Sequence, residues 1–79
     1  MHELSITHNI VAAVAERAGN RTVKSVLLQI GEKAGIDRQA IEFCFELCTQ
    51  GTVLEGARLD VEPAGGTELL IRSMEVVDV

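Results

Sequence analysis

The chain has 79 residues, 47% of them apolar, with 12 acidic against 7 basic side chains and a net charge of −5. That length holds one hydrophobic core and not two, and with Phe43 and Phe45 as its only aromatics the core must be aliphatic. An acidic balance without a basic stripe or stacking aromatics argues against nucleic acid and anionic membrane as partners.

From Glu3 to Ala18 the pattern is helical: Leu4, Thr7, Val11, Val14 and Ala18 recur at three-four spacing, and Ile10 widens the stripe. Gly19-Asn20 ends it, since both residues tolerate the left-handed backbone found beyond helix C-termini. His8 and Glu16 fall off the stripe and read as solvated. Thr22 to Ile30 reads as a strand, with Val26, Leu28 and Ile30 alternating against Ser25, Leu27 and Gln29. Both of its faces are partly apolar, which places it centrally in a small sheet. Gly31 to Gly35 makes a loop without the spacing or lysine of a phosphate-binding loop.

A second helix is predicted over residues 38–50, with Asp37 as its N-cap and Gly51 beyond its end. Ile41, Phe45 and Cys48 form its apolar stripe, flanked by Cys44 and Leu47, while Glu42 and Glu46 share the other face. The two cysteines are too few for a disulfide framework or a closed zinc site, and on a packing helix they read as structural. Residues 53–56 are a connector. Ala57 to Glu62 alternates as a half-buried strand, Pro63-Ala64-Gly65-Gly66 reads as a tight turn or linker, and Glu68 to Val77 is the last strand. Its apolar phase switches near Arg72-Ser73, as a β-bulge would require. The expected fold is α+β in the order α-β-α-β-β, two helices on one face of a three-stranded mixed sheet.

The chemistry-bearing stretch is Met1-His2-Glu3. An imidazole one peptide from the α-amine lets the amine, a deprotonated backbone amide and the ring close small chelate rings around one metal ion. A planar nitrogen set suits Ni(II) or Cu(II) better than tetrahedral Zn(II). The alternative reading is a solvated His at a frayed end.

Met1-His2-Glu3-Leu4-Ser5 is joined by Ile30-Gly31-Glu32, Phe43-Cys44-Phe45-Glu46, Gly51-Thr52, Glu55-Gly56-Ala57, Glu68-Leu69 and Ser73-Met74-Glu75-Val76. Together these landmarks resemble the HypA/HybF family, the nickel metallochaperones of [NiFe]-hydrogenase maturation. The resemblance implies a single nickel-binding domain over residues 1–79, with Ni(II) held by the His2 imidazole and main-chain nitrogens among Met1, His2 and Glu3. Asp37 matches a position where some relatives offer a carboxylate, alongside its capping role. The resemblance also implies a HypB-type GTPase and the hydrogenase large subunit as partners, and delivery of metal without catalysis. In some relatives urease is a second destination.

The family carries a zinc-binding insertion of two Cys-x-x-Cys pairs, absent here between about residues 63 and 67. Ala64-Gly65-Gly66 fills the gap, read as an engineered deletion of the zinc subdomain, so no zinc is expected in this chain. No cationic apolar leader opens the chain and no run approaches membrane length, so a cytoplasmic location is expected. The rival reading is a small interaction module or structural scaffold with incidental metal binding. The short junction leaves two expectations open. Either the last two strands close as an antiparallel hairpin, or a strand lies between them and the last strand pairs with a second copy in a swapped homodimer.

Overall fold

The computed structural model describes residues 2–77. Its elements are α1 (Glu3–Ala18), β1 (Thr22–Gly31), α2 (Arg38–Cys48), β2 (Arg58–Ala64) and β3 (Leu69–Val77). This is the α-β-α-β-β order of an α+β fold. The strands form one mixed sheet in the order β2-β1-β3, β1 being parallel to β2 and antiparallel to β3. The two helices pack on each other; α1 also contacts β1 and β3, and α2 contacts β2.

The α1 stripe enters the core through Thr7, Ile10, Val11, Val14 and Ala18. Leu4 does not join it and is 56% exposed; apolar packing begins instead with Ile6. Thr7 is fully buried, and its hydroxyl is satisfied by donating to the Glu3 carbonyl at 2.7 Å, a back-bond that removes the cost of burying an unpaired polar group. On β1 the buried set is Val23, Ser25, Val26, Leu28 and Ile30. Alternation breaks because the β1–β3 register shifts between Val23 and Ser25, which brings valines of opposite sequence parity into the core. Ser25 is buried with its Oγ donating to Glu75 Oε1 at 2.7 Å.

The phase switch expected in β3 is present as a second irregularity. Leu27 pairs with Ser73 and Leu28 with Ile71, which leaves Arg72 as the extra residue. The second helix ends at Cys48 rather than Gln50. Thr49 and Thr52 tighten the following turn through Thr49 Oγ1 to the Glu46 carbonyl and Thr52 Oγ1 to the Thr49 carbonyl. The connector contributes a core residue: Leu54 is fully buried, and the neighbouring Val53 carbonyl accepts from the Val23 amide at 2.8 Å.

The junction after β2 corrects the hairpin expectation. β2 continues through Pro63 and Ala64, the latter opposite Gly31, and β2 and β3 flank β1 without touching one another in the ladder. Pro63 is tolerated because β2 is an edge strand, where a missing N–H breaks no central ladder. Residues 65–68 then cross the end of β1 within the same chain. The Gly31 amide donates to Glu68 O (2.8 Å), the Glu32 amide to Ala64 O (2.7 Å) and the Lys33 amide to Gly66 O (2.8 Å). Residues 65–68 thus suffice to cross the strand end, and β3 pairs with β1 of the same chain.

The crossing is tight enough to select glycine at position 31. A Cβ there would lie 2.4 Å from the Gly66 carbonyl oxygen and 2.7 Å from its carbon. Both obstacles are backbone, so the strand end or the crossing has to move. Gly31→Ala is expected to cost about 1–3 kcal/mol, read as a lower urea midpoint at unchanged slope. Sedimentation of the untagged chain at two concentrations should give the monomer mass at both; a concentration-dependent dimer would reinstate the swapped pairing.

Candidate metal centre

α1 begins immediately after His2, whose backbone is extended (φ −100°, ψ 95°) and whose carbonyl accepts the first helical hydrogen bond, from the Ile6 amide at 3.1 Å. Its imidazole makes no capping hydrogen bond and the residue is exposed. The ring thus stands at the start of the helix and makes no hydrogen bond among the described residues. Met1, whose amine the chelate expectation requires, lies outside the described residues.

Glu3 is in the first turn of α1 and faces the start of α2. Its Oε2 accepts from the backbone amide of Asp37 at 3.1 Å. That bond holds the Glu3 carboxyl below its ordinary value of 4.5, because the acceptor is strongest when ionised. Asp37 is meanwhile the N-cap expected from the sequence, its Oδ1 accepting from Gln39 N at 2.9 Å and Ala40 N at 3.4 Å. Glu3 and Asp37, distant in the chain, are thereby joined where the two helices begin. Two carboxylates there offset the positive ends of two helix dipoles, which would otherwise oppose a bound cation.

The other candidates separate from this cluster. His8 is exposed on α1, as expected. Cys44 and Cys48 are both free and half-buried on α2, and burial pushes the Cys48 thiol up, with Cys44 adding to the effect, the opposite of what a reactive or ligating thiol needs. A recess beside α2 is lined by Glu42, Glu46 and Glu55, but Glu42 faces Arg38 and Glu55 accepts from the Gly51 amide. Among the described residues no group of three or more His, Cys, Asp or Glu side chains is arranged to hold a metal.

Sequence reasoning gave Asp37 its cap and missed the Glu3 carboxylate's bond to the Asp37 amide, since nothing local in either segment signals a contact across thirty-four positions. The bond predicts a pH response. Glu3's folded-state pKa is depressed, so its contribution is fully present above the ordinary value of 4.5 and is lost as pH falls through the lower folded value. The Asp37 amide resonance should titrate in that acid window and become flat in Glu3→Ala. Separately, Asp37→Ala should cost about 1 kcal/mol of stability through loss of the cap, measured by thermal or urea unfolding.

Residues 1–66 match the family model described as "Hydrogenase/urease nickel incorporation, metallochaperone, hypA". The hydrogenase maturation factor HypA of Trichodesmium erythraeum is 66% identical over 61 residues, 77% of this chain and 54% of that protein. HypA of Geobacter metallireducens is 52% identical over 66 residues, 84% of this chain and 60% of its own. The chain thus spans little more than half the length of these curated relatives. In fold it is similar to the solution structure of the Ni metallochaperone HypA from Helicobacter pylori, with a TM-score of 0.70 at 16% identity, covering 99% of this chain and 95% of the other. By the extent of the family match and the identity of these relatives, the chain belongs to the HypA family of nickel-incorporation metallochaperones.

Proposed function

We propose that this chain is the nickel-binding part of a HypA-type metallochaperone, a delivery protein and not an enzyme, which takes Ni(II) as cargo at the Met1-His2-Glu3 segment. The observation that carries the reading is the placement of His2. Its imidazole is exposed and unused in capping, in a chain whose family match begins at residue 1. The ring and main-chain nitrogens of the first residues supply the planar donor set that Ni(II) favours. Glu3 contributes its backbone nitrogen, its carboxylate being held by the Asp37 amide. Asp37 keeps one oxygen on the cap and offers the other to the ion.

An exposed terminal site suits transfer, because a partner can displace ligands one at a time. The partners in this reading are a HypB-type GTPase and the hydrogenase large subunit, in the cytoplasm. The zinc part of the family is absent between about residues 63 and 67, and no zinc is bound. The crossing at residues 65–68 joins two edge strands at an exposed tip, a place where a subdomain can be inserted or removed without breaking the ladder.

A second reading, an interaction module with incidental metal binding, draws support from Phe43 and Leu47, 65% and 49% exposed on α2. Nickel titration of the untagged chain separates the two. His2→Ala, and independently acetylation of the α-amine, should each weaken Ni(II) binding by at least about tenfold, the lower range of losses seen even for outer-shell partners. Equal binding by all three forms would sink the terminal site. Affinity should also fall on going from about pH 8 to about pH 6, because protons compete with the metal for nitrogen donors. A planar Ni(II) site will be diamagnetic and orange-yellow.

A further inference from the structure

The arginines of this acidic chain sort by partner. Arg38 pairs with Glu42, and Arg58 with Asp60 and Glu75. Arg21 donates to the carbonyls of Ala18 and Arg17, closing the end of α1. Arg17 and Arg72 make no ion pair among the described residues, yet both line the same cleft, about 310 Å³, between α1 and β3. Two guanidiniums beside one recess repel each other, and among the described residues neither is paired with a carboxylate.

The cleft arises from particular residues. Arg72 is the extra residue of the β3 bulge, and bulges re-aim a side chain out of the regular pleat. Ile71 stays 41% exposed although its ladder partner Leu28 is fully buried; α1 presents Ala13, Val14 and Arg17 to this part of β3. The result is an apolar floor of Val14, Ile71 and Met74 flanked by two arginines, with the Ser73 backbone completing the wall. Its volume lies at the small end of the range for ligand sites, about 300–1,000 Å³.

We propose that this cleft binds a small organic carboxylate with an aliphatic body. The guanidinium forks match the two oxygens of a carboxylate, and the aliphatic part covers the apolar floor. Phosphate satisfies the forks and leaves the floor wet; an aliphatic alcohol does the reverse. The ligand class follows from needing both halves. This site is separate from the metal-binding terminus and does not depend on the nickel reading.

Hexanoate is the probe. Added to the ¹⁵N-labelled chain at fixed ionic strength, it should shift the amides of Ala13, Val14, Arg17 and Ile71 to Met74 saturably. It should bind at least about tenfold tighter than acetate or hexan-1-ol, a difference that four methylenes or one charge-assisted pair can each supply. Arg17→Gln/Arg72→Gln should weaken it by at least about tenfold. Equal shifts from hexanoate, acetate and phosphate would reduce the cleft to a non-specific anion atmosphere and overturn the proposal, as would unchanged hexanoate binding by the double variant. The comparison among probes is made on the unmutated chain, so it decides the matter even if that variant folds poorly.

Discussion

The end of β1 is the constraint on which the rest of the molecule depends. Because β1 is central and its neighbours are the last two strands, the chain must pass from one side of it to the other over its end. It does so against Gly31, where the crossing backbone occupies the space a side chain would need. The amides of Gly31, Glu32 and Lys33 are all used in holding that crossing, so no buried backbone donor is left to pay for a more open route. The same clamp fixes the first residues of the loop that leads to Asp37. Sheet closure and the position of the loop are therefore one problem with one solution.

From that loop the argument runs to the terminus. Asp37 caps α2 with its side chain and gives its amide to Glu3, so each helix start helps to fix the other. An exposed hydrogen bond of this kind adds little to overall stability, but its geometric effect is large relative to its energy. It ties the first turn of α1 to the start of α2, so the beginning of the first helix is held by a tertiary contact as well as by its own hydrogen bonds.

What was legible in the sequence divides along physical lines. Helical and strand periodicity report which face of an element meets a core, and they located α1, β1 and α2 together with the Arg72 irregularity. The cap at Asp37 is a local interaction and could be read locally. Periodicity carries no information on which strand neighbours which, so whether β2 and β3 were hairpin partners or flanked another strand stayed open; both pair with β1. The glycines after Pro63 looked like ordinary turn chemistry, and Gly31 like a loop opener, until their mutual approach was seen. Leu54 was overlooked because it sits outside any periodic run, and Leu4 was over-read because a stripe continues past the point where there is anything to pack against. The Met1-His2-Glu3 motif was visible at once, whereas its Glu3–Asp37 tether is a tertiary contact that neither segment announces.

Charge completes the picture. Surface pairs such as Arg38–Glu42 and Arg58–Asp60 contribute about 0–1 kcal/mol each, so they do not hold the fold; their effect is to spend cations that would otherwise offset the acidic surface. The two arginines left over face a single recess at the far end of α1 from His2. At 1.5 Å per helical residue, position 17 lies roughly 20 Å from the mouth of the helix, beyond two Debye lengths at physiological salt. Charges at the two ends of α1 therefore do not sense each other directly through solvent. Any coupling between them has to pass through α1 and its packing on β3, a rigid path in which Val14 serves both the core and the cleft floor.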